Sequence, residues 1–181
     1  MRSDRLLIPA EWALRPFLDS VQVRNPGPRQ DQSTCEANGD VPVIDQSEAG
    51  TLGYHSGQPG VFASEHNPVV TFANHTCAVR CITRPCSAIQ NVFFIRGNAG
   101  VDTRFLFHWL SGRVPQTTYK GHWPEAKRLS PLLPPLPEQR CIAEILDTID
   151  TTIRQTEAII EKLKLVKQGL LHDLLTRGID A

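Results

Sequence analysis

The sequence predicts an α+β protein: a small β-rich domain followed by one long α-helix of the kind that forms coiled coils. Three observations carry this. No proline follows Pro137 through Ala181, and over that stretch the apolar residues fall into heptad step. Before Pro131, short β-branched and aromatic runs alternate with turn residues such as Gly, Pro, Asn and Ser. The 181 residues, 40% hydrophobic, suffice for one core and an appendage but not for two large domains. The expected division is a head over 1–130, a proline-rich linker over 131–137, a helix over 138–177 and a tail over 178–181.

In chain order, Leu6 to Trp12 reads as an entry segment that packs its tryptophan, and Ala13 to Val23 as a short strand or turn. Asn25 to Gly39, rich in Pro, Gly, Asn, Gln and Ser, is expected as loop. Val41 to Ser47 begins as a strand and ends in polar turn residues, and Glu48 to Tyr54 continues it with two glycines. Val69 to Phe72 is a β-branched strand running into Asn74-His75-Thr76; Ala78 to Ile82 and Ala88 to Ile95 are further strands. Closely spaced short strands predict a curled, barrel-like sheet. Thr103 to Leu110 is the best helix before the terminal one.

That terminal helix begins where proline stops. Pro134, Pro135 and Pro137 each lack a donor and restrict the preceding residue, which bars a helix interior before Glu138. Beyond it, Ile142, Ile149, Leu163 and Leu170 take one core position, with Thr156 as a polar exception. Ile145, Ile159 and Val166 take the other, with Thr152 and Asp173 as exceptions; Leu146, Ile153, Ile160 and Leu174 widen the stripe. Acids (Glu138, Glu144, Asp147, Asp150) crowd the first half and bases (Lys162, Lys164, Lys167, Arg177) the second, as the helix dipole favours, and Gly178 is a stop. Such a helix is roughly 60 Å long at 1.5 Å per residue, too long for one small head to cover. Ile142, Ile145, Ile149, Ile153, Ile159, Leu163, Val166 and Leu170 are therefore the expected dimerisation seam of a homodimer.

Formal net charge is +0, which excludes histone-like polycation binding. Before Glu138 there are 13 Lys+Arg against 11 Asp+Glu, and 11 of the 13 are arginine, the side chain suited to guanine and phosphate. Five cysteines, with no signal peptide or membrane span, suggest a reducing cytoplasm. Cys77, Cys81, Cys86 and nearby His75 lack the spacing of structural zinc sites, so no metal site is expected.

Pro135-Leu136-Pro137-Glu138-Gln139-Arg140, then Ile142 to Asp147, then Lys167 to Gly178 resemble the conserved region of type I restriction-modification specificity subunits. Pro9-Ala10-Glu11-Trp12, Pro42 to Ser47, Phe72 to Thr76 and Thr118 to Pro124 are similar to signatures of their target-recognition domains, so the patterns reach from Leu6 to Ile179. Specificity subunits usually carry two recognition domains and two helical regions; this chain has one of each and resembles half a subunit. The resemblance implies double-stranded DNA as target, with a modification (methyltransferase) subunit and a restriction subunit as partners. It places S-adenosylmethionine, ATP and Mg²⁺ on those partners, and leaves this chain without a cofactor of its own.

The chemistry fits a non-catalytic module. Asn67-Pro68-Val69 lacks the second proline and the aromatic ring of an adenine methyltransferase motif, and no phosphate loop appears. Glu125-Ala126-Lys127 with Asp102 is the one nuclease-like hint, but Pro124 precedes it where a buried strand is needed. His108 and His122 have aromatic neighbours and read as structural. For DNA, the candidates are Gln46 and Ser47 at one strand end, Asn74, His75 and Thr76 at another, Arg80 and Arg84 just beyond, and Thr118, Tyr119 and Lys120 on a third loop. Asn-His-Thr also suits a turn cap. The competing function is a homodimeric coiled-coil scaffold, or protein-interaction module, whose β-rich head binds a ligand.

Overall fold

A computed structural model of the chain describes residues 8–24, 27, 30–47, 49–114 and 121–179. It separates into two compact units, residues 1–142 and 143–181.

The first unit opens with strand β1 (Ala13–Leu14), a single helical turn α1 (Phe17–Ser20) and strand β2 (Val21–Arg24). A 3-10 turn (Gln32–Thr34), capped by Asp31, interrupts the expected loop. Strands β3 (Val41–Ile44), β4 (Thr51–His55), β5 (Val69–Ala73), β6 (Val79–Ile82), β7 (Ser87–Ala88) and β8 (Val92–Gly97) follow. Helices α2 (Thr103–Leu110) and α3 (Trp123–Arg128) and strand β9 (Leu132–Leu133) complete the head before α4 (Leu136–Arg177).

The strands form separate sheets rather than the expected barrel-like one. An antiparallel sheet runs β2-β8-β5-β6, a second runs β4-β3-β7, and β1 pairs with β9. Closure fails for local reasons. Pro42 takes a donor out of β3, and β7 is two residues long before Asn91 turns the chain at φ +67°. The four-stranded sheet is covered on both faces. One face, with Val69, Val92 and Phe94, packs on Ile44, Val61, Cys86 and Ala88. On the other, Phe93 stacks on Trp123 with centroids 4.3 Å apart, and Phe17 lies 6.1 Å from the same ring. Strand β5 is buried throughout, which is why Val69-Val70-Thr71-Phe72-Ala73 reads as a nearly continuous apolar run. Phe72 and Phe94 are fully buried, each stabilising the head by about 1.5–3 kcal/mol through area alone.

Helix α2 occupies the range its periodicity predicts. Asp102 caps it, its Oδ1 accepting from the Arg104 and Phe105 amides at 2.9 and 3.0 Å. Of the nuclease-like residues, Asp102 is that cap, and Glu125 sits in the first turn of α3 rather than on a strand, ion-paired to Arg128 at 2.8 Å. Pro124 is compatible with α3 because the first helical turn has no amide partner to lose.

The stretch over 131–137 is more than a linker. Leu132 and Leu133 pair with Leu14 and Ala13, and α4 starts at Leu136, two residues earlier than expected, with Pro137 in its open first turn. Gln139 explains the start. Its side chain is 1% exposed; Oε1 accepts from the Asp102 amide at 2.8 Å, and Nε2 donates to Gly100 O at 3.0 Å and Pro134 O at 2.8 Å. Trp12 Nε1 donates to Glu138 at 3.2 Å, which gives the entry segment its anchor.

In the second unit every described residue from Thr148 to Ile179 is exposed. Ile149, Ile159, Leu163, Val166 and Leu170 are each about half exposed or more, at 49%, 59%, 61%, 50% and 56%. The threonines in and beside the seam are satisfied within the helix: Thr148, Thr152 and Thr156 donate to carbonyls four residues back at 2.8–2.9 Å.

Candidate functional site

Of the loop residues singled out from sequence, Gln46, Ser47, Asn74, His75, Thr76 and Arg80 fall into one corner of the head, where the β3–β4 turn meets the β5–β6 turn. Gln46 bridges them. Its Oε1 accepts from the His75 amide at 2.9 Å, its own carbonyl accepts from Thr76 Oγ1 at 2.6 Å, and its Nε2 lies 3.5 Å from His75 Nδ1. Ser47 closes the turn locally, its amide and hydroxyl both donating to Asp45 Oδ1 at 3.0 and 2.8 Å. Arg80, projecting from β6, lays its guanidinium across the same turn, where it donates to the carbonyls of Ser47 and Asp45. Gly50, at φ +77°, lets it lie there: a Cβ at that position would collide with the Arg80 side chain.

Asn74 joins the corner to α3. Its Oδ1 accepts from the Trp123 amide at 2.7 Å, and its carbonyl accepts from the His122 amide at 2.9 Å and lies 3.0 Å from His122 Nδ1. Gln46, Asn74, Thr76 and Arg80 thus direct hydrogen bonds to backbone, which holds three segments in register. His75 and Ser47 are exposed at the rim. Arg84 is exposed too, beyond β6, and makes no hydrogen bond among the described residues. Thr118, Tyr119 and Lys120 lie outside the described residues.

Sequence reasoning missed a buried polar link elsewhere in the head. His55 and Ser87, 8% and 2% exposed, sit 2.9 Å apart from Nε2 to Oγ. The geometry is not that of a nucleophile and its base. The Gly57 amide donates to His55 Nδ1 at 3.0 Å, so Nε2 carries the proton and donates to Ser87, whose oxygen also accepts from the Gly60 amide. The pair ties the 56–60 loop to β4 and β7. The two residues are 32 positions apart, and nothing in their local sequence signals the contact.

The cysteines are all free thiols, and burial pushes Cys86 up to about 12. Among the described residues no group of three or more His, Cys, Asp or Glu side chains is placed to hold a metal ion, and no helix is long and apolar enough to cross a membrane.

These features define a two-part class: a β-rich head with interlocked turns, and a long helix with an exposed apolar face. Residues 9–165 match the family model described as the type I restriction modification DNA specificity domain. The chain belongs to that family. Solved structures agree in fold. One is a chain from a type I restriction-modification system studied for its complex assembly and conformational transition. It matches with TM-score 0.66 and 16% identity over 98% of this chain and 49% of the other. The S subunit from M. genitalium matches with TM-score 0.66 and 13% identity over the same shares. The HsdS subunit from Thermoanaerobacter tengcongensis matches with TM-score 0.58 and 17% identity over 94% and 46%. The chain spans about half the length of these structures.

Proposed function

We propose that the chain is a half-length specificity subunit that recognises double-stranded DNA for a type I restriction-modification complex. The observation that carries this is family membership across head and helix together, residues 9–165, rather than across either alone. The chain itself is non-catalytic: it directs a modification subunit, which supplies S-adenosylmethionine chemistry, and a restriction subunit, which uses ATP and Mg²⁺. It works in the cytoplasm, where free thiols stay reduced.

The helix supplies assembly. An apolar stripe exposed along its length favours a second helix, and a second copy supplies the same stripe. Antiparallel pairing sets the first half of each seam, with Ile142, Ile145 and Ile149, against the second half of the other, with Ile159, Leu163 and Val166. The homodimer so formed carries two recognition heads.

The test is a mobility shift of random duplex with the full chain and its modification subunit, at two salt concentrations. Binding that weakens steeply with salt is expected, since phosphate neutralisation releases counterions. No binding at low salt with the modification subunit present would sink the reading.

A further inference from the structure

On the four-stranded sheet, β2 and β8 pair with Gln22 opposite Arg96 and Arg24 opposite Phe94. Residues directly opposite, and those two apart on one strand, share a face, so Arg24 and Arg96 are diagonal neighbours on one side of the sheet. Together with Gln22 they rim a shallow cleft floored by Val61, Val69 and Phe94. Two guanidiniums side by side repel each other. Among the described residues no carboxylate lies within ion-pair distance of either.

Arg96 is fixed from behind. Its Nε donates to Pro68 O at 3.2 Å, and its Nη2 to Phe62 O at 2.5 Å and Asn67 O at 3.4 Å. Those bonds hold the guanidinium against the 62–68 loop and leave Nη1 without a described partner. Partial burial, then the charge of Arg24, depress its pKa, as expected of a cation with no anion beside it. Arg24 is exposed, on the edge strand of the sheet, and makes no hydrogen bond among the described residues. Beside the cleft the loops approach closely: a Cβ at Gly27 would stand 3.1 Å from Gly60 Cα. Phe62, 65% exposed, stands next to the cleft residue Val61.

We infer that the Arg24–Arg96 pair is an anion site that takes a phosphate of the DNA backbone, with Arg96 as the fixed donor and exposed Arg24 as the second. This rests on the DNA-recognition reading and adds a place on the head to it. An anion between the two guanidiniums removes their repulsion and accepts charge-assisted hydrogen bonds from both. The site lies away from the Gln46–His75 corner. Strand β8 runs from Val92, beside Asn91 and Asn74, to Arg96 near its far end. A phosphate contact positions the protein without reading sequence.

Arg24→Gln tests this, because Arg24 is exposed and supports no described hydrogen bond, so the variant folds. Binding of a labelled random-sequence duplex and of a duplex bearing the methylation-mapped target is measured by fluorescence anisotropy across a salt series. The protein is the full chain with its modification subunit. The variant is expected to lose affinity about tenfold on both duplexes and to flatten the salt slope by about one, while Arg24→Lys keeps most of the slope. An unchanged slope and affinity for Arg24→Gln, with wild type binding normally, would overturn the phosphate site alone. Loss confined to the target duplex would overturn it too, since Arg24 would then be reading bases. A wild type that binds neither duplex would instead overturn the DNA-recognition reading.

Discussion

Truncating Gln46 to Ala removes the acceptor of the His75 amide and leaves that exposed amide to water, so its cost is about 1 kcal/mol. Gln46→Glu keeps the acceptor and most of the stability. Denaturant melts of the two variants, set beside their DNA isotherms, separate a turn-holding residue from a base reader. A base reader would lose target preference in both variants with little change in stability. Gln139 is the more severe case, because three backbone groups end on one buried amide. Gln139→Ala is expected to destabilise the head by about 2–4 kcal/mol, read as a fall in the unfolding midpoint. A loss below 1 kcal/mol would mean that water replaces the amide. Cys86 gives an independent check on burial. With its thiol pushed up to about 12, roughly one molecule in ten thousand is thiolate at pH 8. A thiol-reactive probe should therefore label exposed Cys141 in the native protein and reach Cys86 only on unfolding.

At the scale of the element, α4 makes the sharper prediction. In an antiparallel pair each a position meets a d position of the partner. One register then matches Ile142 with Val166, Ile145 with Leu163, Ile149 with Ile159, and Thr152 with Thr156, setting the two polar layers around the two-fold axis. Ile149→Glu should break the dimer, and adding Ile159→Lys should restore part of it, whereas adding Leu163→Lys should not. Light scattering reads all three; a dimer that survives Ile149→Glu would refute the seam. This helix was legible in sequence because its period and its freedom from proline extend over forty residues. Its first turn was not, since Pro137 reads as a breaker unless the open amides of a helix start are counted. Helix α3 went unread for the same reason, with Pro124 at its start. The corner was legible as residue types at strand ends. Its internal bonding was not, because Gln46 and His75 are 29 positions apart and only the folded sheets bring them together.

For the whole molecule, symmetry fixes what the heads can read. A closed two-fold dimer presents one recognition surface twice, in opposite orientation. With two copies paired antiparallel, each head is expected to take its own half-site, with an unread spacer between them. Both half-sites must face the same side of the duplex, roughly one helical turn or a multiple of it apart centre to centre. The target of the homodimer is therefore an interrupted palindrome, whereas a chain with two different heads would read two unrelated halves. Methylation mapping in a host carrying this chain with its modification partner measures this directly. A palindrome with a fixed gap is the expected result. An asymmetric bipartite motif would mean that a different half-subunit completes the complex in the cell, and the two-fold argument would fail at the DNA even where the purified chain dimerises with itself.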